Sequence, residues 1–152
     1  MADALPETPA RSAYLALVQA HEALERPFRE LFKSFGMSPT RFNVLRILVQ
    51  GPRAGLTCGE IGARLVHRVP DVTRLLDRME RDGLVERHRA ADDRRVVRNC
   101  ITPAGRRACR AVYAPLAHVH EDVLGHLSKR EQQQLDTLLR KAFAPHKNQP
   151  KT

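Results

Sequence analysis

Residues 57–102, TCGEIGARLVHRVPDVTRLLDRMERDGLVERHRAADDRRVVRNCIT, lead from a helix start through two short helical patterns into two strand patterns. Thr57 and Glu60 form a T-x-x-E capping box, in which a hydroxyl and a carboxylate satisfy amide donors left free at a helix start. Leu56 and Ile61 stand at the spacing of a hydrophobic staple, so a helix is predicted to begin at Thr57. After a break at Val66-His67-Arg68, the residues Val72, Leu75, Leu76 and Met79 recur at i, i+3, i+4 and i+7, one buried stripe of a second helix. Thr73, Arg74, Asp77, Arg78 and Arg81 fall on its other face. Asp82-Gly83 stops this helix. Residues 84–89 and 96–101 then read as two strands around the polar turn from Ala90 to Arg95. Asn99 stands where alternation with Val97 and Ile101 calls for an apolar side chain. The tip Asp92-Asp93-Arg94-Arg95 is too polar for a core and suits a groove lined with phosphate oxygens.

Helix, turn, second helix and arginine-tipped hairpin are the layout of a winged helix-turn-helix, a reader of duplex DNA. The charge agrees with the shape. The 152 residues carry a formal charge of +9, which calls for a polyanionic partner. Residues 52–110 hold fourteen Arg and no Lys against eight Asp plus Glu, so this segment alone supplies +6 of the +9. Arginine suits bidentate contacts to phosphate and guanine. Trp is absent and the seven other aromatic residues mostly occupy apolar helix positions, so stacking platforms for single strands are missing. No apolar run is long enough to span a membrane and the start MADALPETPA is not a signal peptide, so a cytoplasmic protein is expected. Three cysteines without C-x-x-C spacing make neither a disulfide framework nor a structural zinc site.

The run VTRLLDRMERDGLVER (72–87), the DDRR at 92–95 and the close ITPAGR (101–106) resemble the MarR family of bacterial regulators. SPTRFNVLRIL (38–48) resembles the family's helix before the helix-turn-helix, and the likeness covers roughly residues 10 to 145. It implies a homodimer that binds pseudo-palindromic, double-stranded operator DNA and is released by a small-molecule effector or by oxidation. It also implies that the second helix of the motif, Pro70 to Arg81 by position, lies in the major groove. The D-x-R motif of the wing would be Asp93-Arg94-Arg95, with Arg95 entering the minor groove and Asp93 orienting it. The DNA-binding set expected on these grounds is Thr57, Arg68, Pro70, Asp71, Thr73, Arg74, Arg78, Asp93, Arg94, Arg95 and Arg98.

One departure from the family pattern changes the chemistry. Where small hydroxyl residues often open the recognition helix, this chain has Val69-Pro70-Asp71. Pro70 at the first helical position presets φ, and Asp71 at the second favours the positive end of the helix. A carboxylate beside phosphates either accepts from a cytosine amine or pairs internally with Arg74.

Around the motif, Leu17, His21, Leu24, Phe28, Leu31 and Phe35 alternate spacings of four and three, predicting a long amphipathic helix over 10–35, bent at Pro27. Ser38-Pro39 is an N-cap followed by a first-turn proline, and Thr102-Pro103 repeats the device after the wing. The helix it opens carries Val112, Leu116, Val119 and Val123 on one stripe, with a bend near Pro115. Residues 128–143 follow, with Leu135, Leu138 and Leu139. The expected class is mainly α with a small β-hairpin (α+β): one domain over 1–152, a winged helix-turn-helix at 38–102, and dimerisation helices at 10–35 and 104–145. The terminal helices offer more apolar stripe than one small winged domain covers; packing within the chain is the alternative.

Effector evidence in the sequence is thinner. Cys58 sits at the first helical position after Thr57, where a helix end favours a reactive thiolate; an ordinary small packing residue is the blander reading. Cys100 and Cys109 read as structural. His21, on an apolar seam, reads as a core or interface histidine, or as part of the small-ligand pocket that the resemblance implies. His118, Asp122 and His126 share a helix face but lack a fourth ligand, so no metal is assigned, and no cofactor is called for. There is no G-x-S-x-G, Walker loop, G-x-G-x-x-G or convergent acid pair, and no catalytic residue is assigned. The alternative to a regulator is an effector-independent architectural DNA binder.

Overall fold

The computed structural model describes residues 6–66, 69–89, 93 and 95–144. Its elements run α1 (Pro9–Ser34), α2 (Pro39–Gln50), α3 (Cys58–Arg64), α4 (Val72–Arg81), β1 (Val85–Arg89), β2 (Val97–Ile101), α5 (Pro103–Leu124) and α6 (Lys129–Phe143). The chain divides into two compact units, Met1–Leu116 and Ala117–Thr152. Among the described residues no helix is long and apolar enough to cross a membrane.

Short polar side chains fix where the helices begin. Thr8, Ser38, Thr57, Asp71 and Ser128 each accept a hydrogen bond from the amide three residues on. Such a bond satisfies one of the donors that every helix start leaves free. The Thr57/Glu60 box is complete, with the Glu60 carboxylate accepting the Thr57 amide at 2.8 Å and the Thr57 hydroxyl accepting the Glu60 amide at 3.2 Å. Ser128 and Glu131 repeat it at α6.

In the first unit the core forms where the apolar stripes of α2, α3 and α4 meet β1 and the first half of α5. Val44, Leu45, Ile61, Leu76, Met79 and Val112 are fully buried there. Replacing a side chain such as Leu76 by Ala in this setting costs about 2–5 kcal/mol. The seam predicted along α1 is shifted at its end. Phe32 is buried while Phe35 is exposed, because the helix ends at Ser34 and Phe35 is its C-cap. Phe32 packs on Phe42 with ring centroids 5.3 Å apart, and Tyr113 meets Phe42 edge-on at 6.1 Å, so three helices share one aromatic joint.

The strands form an antiparallel pair with Val85 opposite Ile101 and Arg89 opposite Val97. Leu56 adds a third, one-residue strand by bridging Asn99. Gly55, just before it, takes φ +81° and packs its α-carbon on the Asn99 carbonyl, where a side chain would collide. At the base of the hairpin Gly105 lies against the Leu84 carbonyl in the same way, so the first turn of α5 sits flush on the wing. Thr102 locks this corner: its hydroxyl donates to the Gly83 carbonyl at 2.7 Å and accepts the Gly105 amide at 3.0 Å.

In the second unit, Gln132 of α6 donates to the carbonyls of Leu124 and Leu127, at 3.0 and 3.1 Å, closing the turn between the two helices. Leu138, Leu139 and Phe143 of α6 are exposed.

Candidate nucleic-acid interface

Helix α4 starts two residues later than its proline suggests. Asp71 is the N-cap and not the second helical residue, and Pro70 precedes the helix. An aspartate cap and a first-turn proline compete for the same helix start, and here the carboxylate sets it: Asp71 Oδ1 accepts the Arg74 amide at 2.9 Å. Its second oxygen lies 3.8 Å from Arg74 Nε. The carboxylate is thus engaged within the helix start, the internal pairing of the two alternatives raised by the sequence.

Leu75, Leu76 and Met79 hold one side of α4 in the core, leaving Thr73, Arg74, Arg78 and Arg81 exposed on the other. The Arg74 side chain is 84% exposed. Val69, Pro70, Asp71, Arg74, Arg78 and Arg81 border a shallow groove of about 570 Å³ along this helix. Three guanidinium groups lie within three helical turns on a face the core does not use, with the Asp71 and Asp77 carboxylates also lining the groove, making a net positive ridge.

At the hairpin tip, Asp93 accepts the Arg95 backbone amide at 2.9 Å through its side chain and the Val96 amide at 2.9 Å through its carbonyl. Asp93 therefore shapes the turn that carries Arg95, and both residues are exposed. Arg68 and Arg94 lie outside the described residues. Arg98 turns the other way: it donates to the Gly55 carbonyl at 3.2 Å and comes within 3.9 Å of Glu60, engaged between the wing and α3. Thr57 is exposed in part at the N-terminus of α3, with its hydroxyl committed to the capping box.

Two residues that the sequence left without a role organise this surface. Arg87 of β1, its side chain only 24% exposed, pairs with Asp77 of α4 at 2.6 Å and with Glu80 at 3.6 Å. It also donates to the Thr73 carbonyl at 3.4 Å and to Asn99 Oδ1 at 3.2 Å. Asn99 is fully buried, and its amide donates to the Leu56 carbonyl at 3.0 Å. The residue that breaks strand alternation is thus a polar rivet in the sheet. Its signal was visible as that break; the partner was not, because Arg87 sits among fourteen arginines that all look alike in sequence.

Cys58 is half-buried, with Asn99 Nδ2 3.8 Å from its sulfur. Burial pushes the Cys100 thiol up, with Glu86 adding to the effect, and burial likewise raises Cys109. His21 is exposed in this chain, so of the readings given for it the core is excluded. His118, Asp122 and His126 are also exposed, and among the described residues no group of His, Cys, Asp and Glu is arranged to hold a metal. A smaller cavity of about 240 Å³ opens between α2 and the end of α3, lined by Phe42, Asn43, Arg46, Leu65 and Val66.

Residues 35–96 match the model of the MarR family. The chain is 31% identical over 134 residues to YkoM, an HTH-type transcriptional regulator of Bacillus subtilis, covering 88% of this chain and 85% of that one. It is 28% identical over 133 residues to the homoprotocatechuate degradative operon repressor of Escherichia coli, covering 88% of each. A crystal structure of a MarR transcription factor from Planctomyces limnophilus superposes with a TM-score of 0.67 at 33% identity, covering 90% of this chain and 98% of that one.

Proposed function

Because the chain belongs to the MarR family of transcription regulators, we propose that it is a cytoplasmic homodimeric repressor whose α4 and wing read duplex operator DNA, and that a small molecule releases it. The observation that carries the reading is the split of α4. Its apolar side is locked in the core, and Arg74, Arg78 and Arg81 are exposed on the other side. An exposed helix of this width fits a major groove, with the arginines nearer its N-terminus against base edges and the rest against phosphates. Arg95 at the hairpin tip reaches the neighbouring minor groove, and Asp93 holds the turn that aims it. Thr57, Thr73 and the Pro70-Asp71 entrance complete the contact surface, while Arg98 braces the wing from inside.

The dimer rests on apolar surface left over in each unit. Tyr14, Leu17 and Val18 of α1 and Leu138, Leu139 and Phe143 of α6 are all more than a third exposed. Surface of this kind calls for a partner, and a second copy also gives two recognition helices for a two-fold operator. Burial disfavours the thiolate at Cys100 and Cys109, so an oxidative route would have to run through Cys58. The cavity lined by Phe42, Asn43, Arg46, Leu65 and Val66 suits a small, largely apolar molecule with one polar handle. Leu65 and Val66 belong to the connection that leads into α4, so filling that cavity would bias the placement of the recognition helix. The repressor sense follows the relative from Escherichia coli that is itself a repressor.

The test is binding to the DNA that flanks the protein's own gene. Footprinting should show two half-sites about 10 bp apart, centre to centre. A single protected half-site, or equal affinity for flanking and random DNA, would refute the reading.

A further inference from the structure

We propose that Arg87 is a positioning residue that does not touch DNA: it fixes the register between the recognition helix and the wing, so that both enter their grooves as one body. The proposal rests on the DNA reading above and adds a role which that reading does not need. An arginine beside a recognition helix is ordinarily taken for a phosphate anchor. Arg87 is committed elsewhere. Its guanidinium holds three groups on α4, the Asp77 and Glu80 carboxylates and the Thr73 carbonyl, and one on β2, Asn99 Oδ1. With only 24% of its side chain exposed, it has little surface left for a phosphate.

The geometry on the other side of Arg87 explains why the link reaches the wing. Asn99 is fully buried and is bound to Leu56 by three hydrogen bonds: its backbone amide and its side chain donate to the Leu56 carbonyl at 2.7 and 3.0 Å, and its carbonyl accepts the Leu56 amide at 3.0 Å. A neutral apolar residue there would suit the alternation but would leave Arg87 tied to α4 alone. The chain of contacts runs from Leu56 through Asn99 and Arg87 to Asp77, and the two links made by the Arg87 guanidinium are charge-assisted. The guanidinium spreads five donors over a planar fork and so reaches a carboxylate, a backbone carbonyl and an amide oxygen that lie apart; a lysine's three donors share one nitrogen and do not span them. The benefit for binding is pre-organisation, since two contact elements held in register need no ordering when DNA arrives.

The experiment compares Arg87→Gln, Arg87→Lys and Arg74→Ala on operator DNA over a salt series, with thermal melting of each variant to establish folding. Arg87→Gln should weaken operator binding about tenfold while the slope of log affinity against log salt stays at the wild-type value. Arg87→Lys should be nearly as weak despite keeping the charge. In the Arg87→Gln background, adding Arg95→Ala should cost a smaller factor than it costs in the wild type, because a loosened wing contributes less. A salt slope lower by about one would identify Arg87 as a phosphate contact and overturn the proposal. Full rescue by Lys, an unchanged Arg95→Ala factor, or wild-type affinity in a folded Arg87→Gln protein would do the same. Arg74→Ala separates the two levels. If it weakens binding while Arg87→Gln does not, only the positioning role fails; if neither has an effect, the DNA reading of α4 fails.

Discussion

The Asp71 carboxylate closes the amino end of α4, one oxygen 2.9 Å from the Arg74 amide and the other 3.8 Å from the Arg74 guanidinium. One residue therefore sets both where α4 begins and how its first arginine is presented. Asp71→Ala removes the cap and should cost about 1 kcal/mol of stability, whereas Asp71→Asn retains an acceptor and should melt close to the wild type. Operator preference should survive in Asp71→Asn. A changed preference at one operator base would mean that the carboxylate reads DNA directly.

Arg74 and Arg78 lie one helical turn apart on the exposed side of α4. Arg74, nearer the helix N-terminus, is expected to read a base. Arg74→Ala should cost about 1–3 kcal/mol of operator binding and relax selectivity at one position, while Arg78→Ala weakens all sequences alike and lowers the salt slope by about one. Affinities for operator and random duplex at several salt concentrations decide the assignment, and the opposite pattern reverses it.

At the wing tip, Arg95→Ala should weaken operator binding and leave melting unchanged, since the residue is exposed. Asp93→Ala should weaken binding less, by loosening the turn whose amide Asp93 holds. Unchanged affinity in Arg95→Ala at physiological salt would remove the wing from the interface.

Acid should loosen the helix ends. The Thr57 amide, then its hydroxyl, hold the Glu60 carboxyl below its ordinary value; the Ser128 hydroxyl and amide do so for Glu131, and Arg140 for Asp136. A carboxyl with a depressed value in the folded state contributes stability that is fully present above its ordinary value and is lost as pH falls through the lower, folded one. Melting temperature should therefore drop as pH is lowered from about 6 to about 3, and the drop should be shallower in Glu60→Gln, whose side chain no longer titrates. An identical pH profile in the variant would show that the box contributes nothing through charge.

Placing charge on the exposed apolar face of α6, as in Leu138→Glu with Leu139→Glu, should convert a dimer into a monomer in sedimentation experiments. Half-site affinity would persist and full operator affinity would fall steeply. A wild-type chain that sediments as a monomer at micromolar concentration would overturn the dimer.

Much of this architecture is legible in local sequence because its signals are local. The Thr57/Glu60 box, the Ser38 cap and the i, i+3, i+4, i+7 stripe of α4 each depend on residues within two turns of one another. The misplacements come from competition or from distance. Val69-Pro70-Asp71 offers two ways to start a helix, and only the finished geometry shows that Asp71 prevails. The apolar spacing along α1 runs through to Phe35, but the ring that enters the core is Phe32, against Phe42. Of the places that the apolar seam leaves open to His21, its exposure excludes the core of the single chain and leaves an interface or a ligand pocket. Asn99 looked like a flaw, since its partners lie at Leu56 and Arg87, forty-three and twelve residues away. No periodicity reports a contact of that kind.

Gly105 has a consequence for heredity. The seat of α5 on the wing leaves no room for even a methyl group at this residue, so any substitution acts as a wedge at the base of the hairpin, the end remote from Arg95. A random-mutation screen for strains that have lost repression should thus recover changes at codon 105 alongside those at codons 74 and 95. Such an allele would be recessive if the wedged chain cannot fold well enough to pair, and dominant if it still pairs and poisons the wild-type subunit. Its behaviour in a strain carrying both copies would report which of the two steps, folding or grip on the operator, this corner of the molecule controls.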